Sequence, residues 1–191
     1  MDSQLDLGRL MEQHRPKLLR MLENRIDMSL RRRIDPEDIL ADAFLKANAR
    51  WEQYRRSRPI SEYPWLYQQT MDSLVASWRR YESAGRDVDR EMPWPEQSSA
   101  ALAMGLFGTG TTPSRALQRS ELAEKVHVAL QMLKPRHREI ILMRHFDGLS
   151  FNETAEVLGV EKNAAEQRYV RALDKLKVEL SKVGVDTEQF E

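Results

Sequence analysis

Asn163, Glu166, Gln167, Val170 and Arg171 recur at intervals of three and four residues, the spacing that puts side chains on one face of a helix. Short polar groups on such a face can hydrogen-bond to base edges in the major groove of duplex DNA. Arg168 and Arg171 can reach phosphates, which supply affinity rather than sequence choice. Asp38 and Asp42 form a second constellation, two carboxylates four residues apart on one helix face. Paired carboxylates can do general acid–base work, but a solvated or protein-binding face is the stronger reading here. His14, His127, His137 and His145 include no metal-spaced pair such as His-Glu-x-x-His. Gly105-Leu106-Phe107-Gly108-Thr109-Gly110 is glycine-rich, yet no strand precedes it and no Lys-Ser/Thr follows, so it does not read as a phosphate loop. With no cysteine, a disulfide, a thiolate nucleophile or a Cys-based metal site is ruled out. The chemistry on offer is recognition; no catalytic residue, metal or cofactor is expected.

The elements that must position these groups read as helices. Ser150-Phe151-Asn152-Glu153 is a capping box opening a short helix to Leu158. Ala155 is small where two helices must approach, Gly159 supplies the turn, and Val160 plugs the shared core. In the following helix, from about Lys162 to Leu180, Ala165, Tyr169, Ala172 or Leu173, and Leu176 face inward. This is the layout of a helix-turn-helix; the alternative is a plain helical hairpin with a solvated face. Upstream, Leu117, Leu122, Val126, Ala129, Leu130 and Leu133 mark one helix, Lys134-Pro135 breaks it, and Arg136 to Phe146 marks another before the turn Asp147-Gly148.

The N-terminal part is also helical. Leu7, Leu10, Met11, His14, Leu18 and Leu22 keep helical spacing, with Pro16 as a point of kinking and Arg31-Arg32-Arg33 as the close. Asp35-Pro36-Glu37-Asp38 is a helix start, with Asp35 as cap and Pro36 at the first helical position. Ile39, Leu40, Ala43, Phe44 and Ala47 follow on one face. Arg50 to Tyr63 reads as a charged loop. Pro64 then opens a helix with an apolar face of Trp65, Leu66, Thr70, Met71, Leu74 and Trp78, ending at Arg79-Arg80. Glu82 to Thr112 carries Gly85, Pro93, Pro95, Gly105, Gly108 and Gly110 and reads as a linker, with Ala100 to Phe107 transiently helical.

Composition bounds the rest. The chain has 191 residues, 41% hydrophobic and 31% charged, with zero formal net charge. Taken whole, that is not the charge of a nucleic-acid binder. The distribution says more: residues 1–80 hold 15 Lys/Arg against 12 Asp/Glu, residues 81–112 hold 2 against 5, and residues 162–182 hold 6 against 3. Two basic elements flank an acidic joint. The N-terminus is acidic and lacks a signal-peptide pattern. The uncharged stretch Gln97–Thr112 is too short and polar for a membrane span, so no membrane insertion is expected and a cytoplasmic location is. No run alternates at period two, so an all-α fold is predicted. It comprises two small helical domains over 1–81 and 113–182, a flexible linker over 82–112 and a tail over 183–191. Domains of this size have marginal cores and gain from a larger partner.

Three stretches carry a family resemblance. Leu133-Lys134-Pro135-Arg136-His137-Arg138-Glu139-Ile140, then Gly148 through Val160, then Arg168-Tyr169-Val170-Arg171-Ala172-Leu173 closely resemble domain 4 of bacterial sigma factors. Asp35 through Ala47 resembles the polymerase clamp-binding helix of sigma domain 2, and Pro64-Trp65-Leu66-Tyr67 resembles the opening of that domain's promoter-melting helix. In this order, and separated by a linker, the motifs resemble the extracytoplasmic-function (ECF) group of the sigma-70 family. The resemblance spans nearly the whole chain except the linker and the last ten or so residues. It implies that Lys162, Asn163, Glu166, Gln167, Arg168 and Arg171 read the minus-35 element as duplex. Trp65, Gln68, Gln69, Asp72 and Ser73 would trap unstacked bases of the minus-10 element by stacking and hydrogen bonding, with Arg79 and Arg80 on phosphate. Asp38, Ala41, Asp42 and Phe44 would dock on core RNA polymerase. Trp65 and Trp78 also read as ordinary core, Trp78 the more so.

The implied partners are core RNA polymerase through its clamp and flap, promoter DNA, and an anti-sigma factor; the implied setting is a stress or envelope response. An acidic linker bearing Pro93-Trp94-Pro95 would suit a basic channel, or be a tether with no specific path. Departures from the family pattern are Asp72, where an amide or basic group is common, Glu161 in place of a Ser or Thr cap, and Ala41 in place of a polar clamp contact. An acid at position 72 repels phosphate but can accept from a cytosine amino group. The rival readings are a helix-turn-helix regulator that is not a polymerase subunit, an enzyme, and an adaptor without DNA binding. The first of these usually carries a sensing domain with strands, and residues 1–80 show none.

Overall fold

The computed structural model describes residues 2–27, 31, 33–85, 99–103 and 114–186, with side chains described from residue 6 onward and, in the helices bordering the linker, up to 81 and from 120. Pro93-Trp94-Pro95, the glycine-rich stretch 104–113, the side chain of Leu117 and residues 187–191 lie outside the described residues. Among the described residues there are helices and turns and no strands, as the absence of period-two alternation predicts.

The first three helices are α1 (Asp2–Arg25), α2 (Pro36–Ser57) and α3 (Glu62–Gly85). Pro16 lies within a continuous α1, and the helix ends at Arg25, before the arginine run at 31–33 that the sequence reading took as its close. Asp35 caps α2 as expected: its side chain accepts from the Glu37 backbone N–H at 2.9 Å, and Pro36 occupies the first helical position.

The expected charged loop over Arg50–Tyr63 is a finding against the sequence reading. Helix α2 continues to Ser57 and α3 already begins at Glu62, leaving a connection of only 58–61. The reason is burial. Trp51 and Tyr54 extend the inward stripe of Ile39, Leu40, Ala43 and Ala47 by two more turns, and that stripe outweighs the charged residues on the other faces. Arg58 stops the helix in a left-handed conformation, φ 36°, its N–H returning to the Tyr54 carbonyl, and Pro59 prevents continuation. These three helices enclose one core around Leu7, Leu18, Leu22, Leu40, Leu66, Leu74 and Trp78.

The second half holds α4 (Ser114–Met132), α5 (Pro135–His145), α6 (Phe151–Leu158) and α7 (Lys162–Lys182). Its core gathers Val126, Leu130, Ile140, Ile141, Ala172, Leu176 and Leu180. Residues 99–103 add a helical turn whose Leu102 and Ala103 sit in that core, so this piece of the expected linker is anchored by apolar burial. Each fully buried leucine here stabilises by about 1.5–3 kcal/mol. The two halves also pack on each other: α6 lies against α3, and Met143 and Leu149 are buried in the first core, with Val157 and Leu158 packed at its edge. The sequence reading, with its flexible joint, held no sign of that contact.

Candidate nucleic-acid interface

The helix-turn-helix is built as the sequence dictates. The Ser150 side chain accepts from the Glu153 backbone N–H at 3.2 Å, and the Glu153 carboxylate accepts from the Ser150 N–H at 2.7 Å, completing the capping box. Gly159 ends α6 with φ 62°, a left-handed turn in which a Cβ would be strained, and its N–H returns to carbonyls of the last turn. Arg144 braces the start of α6. It donates to the Leu149 carbonyl and lies 4.1 Å from the Phe151 ring centroid. Thr154 and Ala155 are buried where α6 meets α7.

Helix α7 buries Ala165, Ala172, Leu176 and Leu180 and half-buries Tyr169, whose hydroxyl pairs with a His145 ring nitrogen at 2.7 Å. Partial burial, and then the neighbouring Arg144 charge, lower the His145 pKa from its ordinary value of 6.5, which favours the neutral ring. On the opposite face Lys162, Asn163, Gln167, Arg168, Val170 and Arg171 are exposed and Glu166 is half-exposed. Lys162 lies 3.7 Å from Glu166, and Arg171 Nη2 is 3.5 Å from Gln167 Oε1. Glu161 makes no side-chain cap, which leaves the positive end of the helix without a side-chain acceptor. None of the six residues named for duplex reading is buried; they run round the uncovered part of the helix from Lys162 and Glu166 through Asn163, Gln167 and Arg171 to Arg168.

Residues named for base trapping divide into two sets. Gln68, Asp72, Arg79 and Arg80 reach the surface of α3. Trp65, Gln69 and Ser73 are turned inward. Trp65 stacks on Tyr54 with ring centroids 4.1 Å apart and lies 5.8 Å from Trp51, making an aromatic block. Gln69 Oε1 accepts from Arg50 Nη1 at 3.0 Å, and Arg50 also lies 3.7 Å from Asp72. Arg50 joins this face unannounced by the sequence because the helix that carries it had been read as loop. Trp78 is core, packed beside Tyr81.

On α2, Asp38 and Ala41 are exposed, and Asp42 and Phe44 are half-exposed. Asp42 pairs with Arg80 at 3.1 Å, tying α2 to α3. Ala41 and Phe44 line a shallow apolar cavity of about 430 Å³ between α1 and α2, shared with Gly8, Met11 and Leu40 and rimmed by Arg15 and Glu37.

One constellation escaped the sequence reading altogether. Arg25 is 2% exposed and its guanidinium bonds Asp147 and Glu139 of the second half together with Tyr67 of its own. Burial alone would depress its basicity, but the Asp147 and Glu139 carboxylates outweigh that and hold the cation well above its ordinary value. Burial pushes the Tyr67 hydroxyl well up. Partners 114 and 122 residues apart leave no spacing to read. Among the described residues no group of three or more His, Asp or Glu stands in metal-binding proximity, and no helix is long and apolar enough to cross a membrane.

Comparison with known proteins agrees with this architecture. Residues 10–84 match the family model described as Sigma-70 region 2, and residues 123–176 match that described as Sigma-70, region 4. The RNA polymerase sigma-E factor of Streptomyces coelicolor is 24% identical over 158 residues, 83% of this chain and 78% of that protein. The ECF RNA polymerase sigma-E factor of Escherichia coli is 28% identical over 142 residues, 72% of this chain and 70% of that protein. In fold, the chain is similar to the sigma factor RpoE from Bartonella quintana, solved in complex with the anti-sigma factor NepR. That match has TM-score 0.53 at 19% identity, covering 94% of this chain and 99% of that one. With both region models found in one chain, in order, and with relatives named as RNA polymerase sigma factors, the chain belongs to the sigma-70 family, in its extracytoplasmic-function group.

Proposed function

We propose that this protein binds core RNA polymerase in the cytoplasm and directs it to specific promoters, contributing recognition and no covalent chemistry. The observation that carries the reading is the α7 face: Lys162, Asn163, Glu166, Gln167, Arg168 and Arg171 lie together on the accessible side of a complete, capped helix-turn-helix. Such a face offers amide, carboxylate and guanidinium groups to base edges and phosphates of the minus-35 duplex. On α3, Gln68 and Asp72 offer hydrogen-bonding groups to unstacked minus-10 bases, Arg79 and Arg80 offer charge to phosphate, and Trp65, Gln69 and Ser73 shape that face from inside. The α2 surface of Asp38, Ala41, Asp42 and Phe44 serves as the polymerase dock. Its acids complement a basic partner, since two like charges at this spacing do not stabilise a helix by themselves.

An anti-sigma factor is a fitting silencer, the class of partner held by the Bartonella protein, and a stress response is the fitting setting. The test is promoter-dependent run-off transcription with purified core polymerase. Transcripts starting at a defined promoter only when this protein is added support the reading. Sequence-specific duplex binding without core polymerase, and no transcripts with it, would instead favour a free-standing helix-turn-helix regulator.

A further inference from the structure

A polar recess of about 270 Å³ lies where α1, the end of α2 and the start of α3 meet. None of the residues named for duplex reading, base trapping or polymerase docking lines it, and neither does any residue of the second half. Asp6 and Arg9 reach it from one side of α1. Trp51 and Arg55 reach it from α2, and Arg58 from the C-cap of that helix. Glu62, the first residue of α3, supplies the third wall.

Its cations are not spent on the fold. Arg9 and Arg58 are exposed and make no ion pair and no side-chain hydrogen bond among the described residues, although Asp6 and Glu62 stand in the same recess. Arg55 lies 3.4 Å from Glu52, an exposed pair of small worth. The wall also holds an unmet donor. Trp51 is 6% exposed, and its indole N–H is buried without a hydrogen-bond partner; such groups are costly and uncommon. Arg58, finally, occupies the left-handed region at φ 36°, where glycine would avoid a steric cost that a side chain incurs. Non-glycine residues in that region cluster at ligand sites.

Three guanidinium groups, two carboxylates and an indole N–H narrow the ligand. Guanidinium forks match phosphate oxygens in a bidentate way. Carboxylates only accept, so the ligand must bring donors beside its anion. A nucleotide does both, with its phosphate and with its base amino or sugar hydroxyl groups. The volume is just below the roughly 300 Å³ at which small-molecule clefts begin, which suits one nucleotide unit and not a larger body.

We propose that this recess binds one nucleotide, its phosphate clamped by Arg9 and Arg58 and its donor groups received by Asp6 and Glu62. The nucleotide is either free or one unit of a single strand; the chemistry recognised is the same. The site stands independently of the sigma reading, because its occupancy is measured without polymerase.

The test uses the isotope-labelled full chain and the indole N–H resonance of Trp51, assigned by comparison with Trp51→Phe. AMP, a short single-stranded oligodeoxyadenylate and inorganic phosphate are titrated separately at matched ionic strength. Saturable movement of the Trp51 resonance by AMP identifies a free nucleotide; movement by the oligodeoxyadenylate alone identifies a strand. In either case Arg9→Gln and, separately, Arg58→Gly should weaken binding several-fold. For the strand, each should also lower the slope of log affinity against log salt by about 0.7. Arg58→Gly relieves the left-handed backbone and should melt at or above the parental temperature, so its loss of binding is not a loss of fold. Inorganic phosphate should bind more weakly than either nucleotide probe, because it brings no base or sugar donors. An unmoved Trp51 resonance with every probe, or parental affinity in both arginine variants, overturns the proposal; so does inorganic phosphate binding as tightly as the nucleotides. Run-off transcription is judged separately, and its failure would leave this result standing.

Discussion

The two faces assigned to DNA are built on opposite plans. The α7 face is a row of exposed polar side chains over a separate core of Ala165, Ala172 and Leu176, so its chemistry and its stability sit on different residues. On α3 the two are merged: Trp65, Gln69 and Ser73 are inside the bundle, and only Gln68, Asp72 and the arginines reach out. A duplex presents its edges ready-made in a groove, and a preformed rigid face suffices to read them. Holding unstacked bases needs aromatic and polar surface, which in a small domain must be taken from residues that also hold the fold together. Substitutions on the α7 face should thus change DNA binding without disturbing the fold, whereas substitutions on α3 should change folding and function together.

The largest effect expected from this contrast is at Trp65. Trp65→Ala removes the ring stacked on Tyr54 and should cost about 3–5 kcal/mol, lowering the denaturant midpoint of the first domain. Gln167→Ala should move the same midpoint by no more than about 0.5 kcal/mol. A Trp65 variant with parental stability would break the comparison.

Next is the proposed polymerase dock, which resembles α7 in plan because Asp38 and Asp42 stand off the core. Asp38→Lys with Asp42→Lys should leave the melt nearly unchanged, losing only the exposed Asp42–Arg80 pair, worth about 0–1 kcal/mol. Retention on core polymerase in a pull-down should fall sharply, since like charges across an interface cost several kcal/mol. Normal retention with a normal melt would remove α2 from the dock.

Within α7 the roles can be split. Gln167→Ala should change preference at one or two upstream positions by about 1–3 kcal/mol per base contact, and Arg171→Ala should weaken all upstream elements alike. A library of minus-35 variants assayed with both proteins makes the distinction. Identical profiles would show that the two side chains do the same thing.

The smallest effect expected is on pH. His145 has a folded pKa lowered from 6.5 by burial and by Arg144, so the neutral ring is the one that fits. Its contribution is fully present above 6.5 and declines as pH falls through the lower folded value. Melting temperature should drop over that range, and His145→Gln should flatten the difference curve against the parent.

Much of this was legible in the chain because it is local. The capping box at Ser150–Glu153, the Asp35-Pro36 start, the Gly159 turn and the inward set of α7 each depend on residues within a turn or two of one another, and backbone geometry alone fixes which face they share. The misreading at Arg50–Tyr63 shows the limit of composition. Trp51 and Tyr54 carry the helix forward although four arginines lie between 50 and 63, because burial of two large rings outweighs the polar residues around them. The helical turn at 99–103 was half-seen, as its Leu102 gains its place only from the second core.

The sequence by itself determined the helices, their caps, and which side of α7 faces outward, since these follow from spacing and backbone hydrogen bonding. Tertiary structure alone decided that Gln69 and Ser73 turn inward, that Arg50 joins Gln69, and that Arg25 finds Asp147 across 122 residues. A buried guanidinium is tolerable only when its counter-charges arrive from elsewhere in the fold, and no pattern along the chain encodes that arrival.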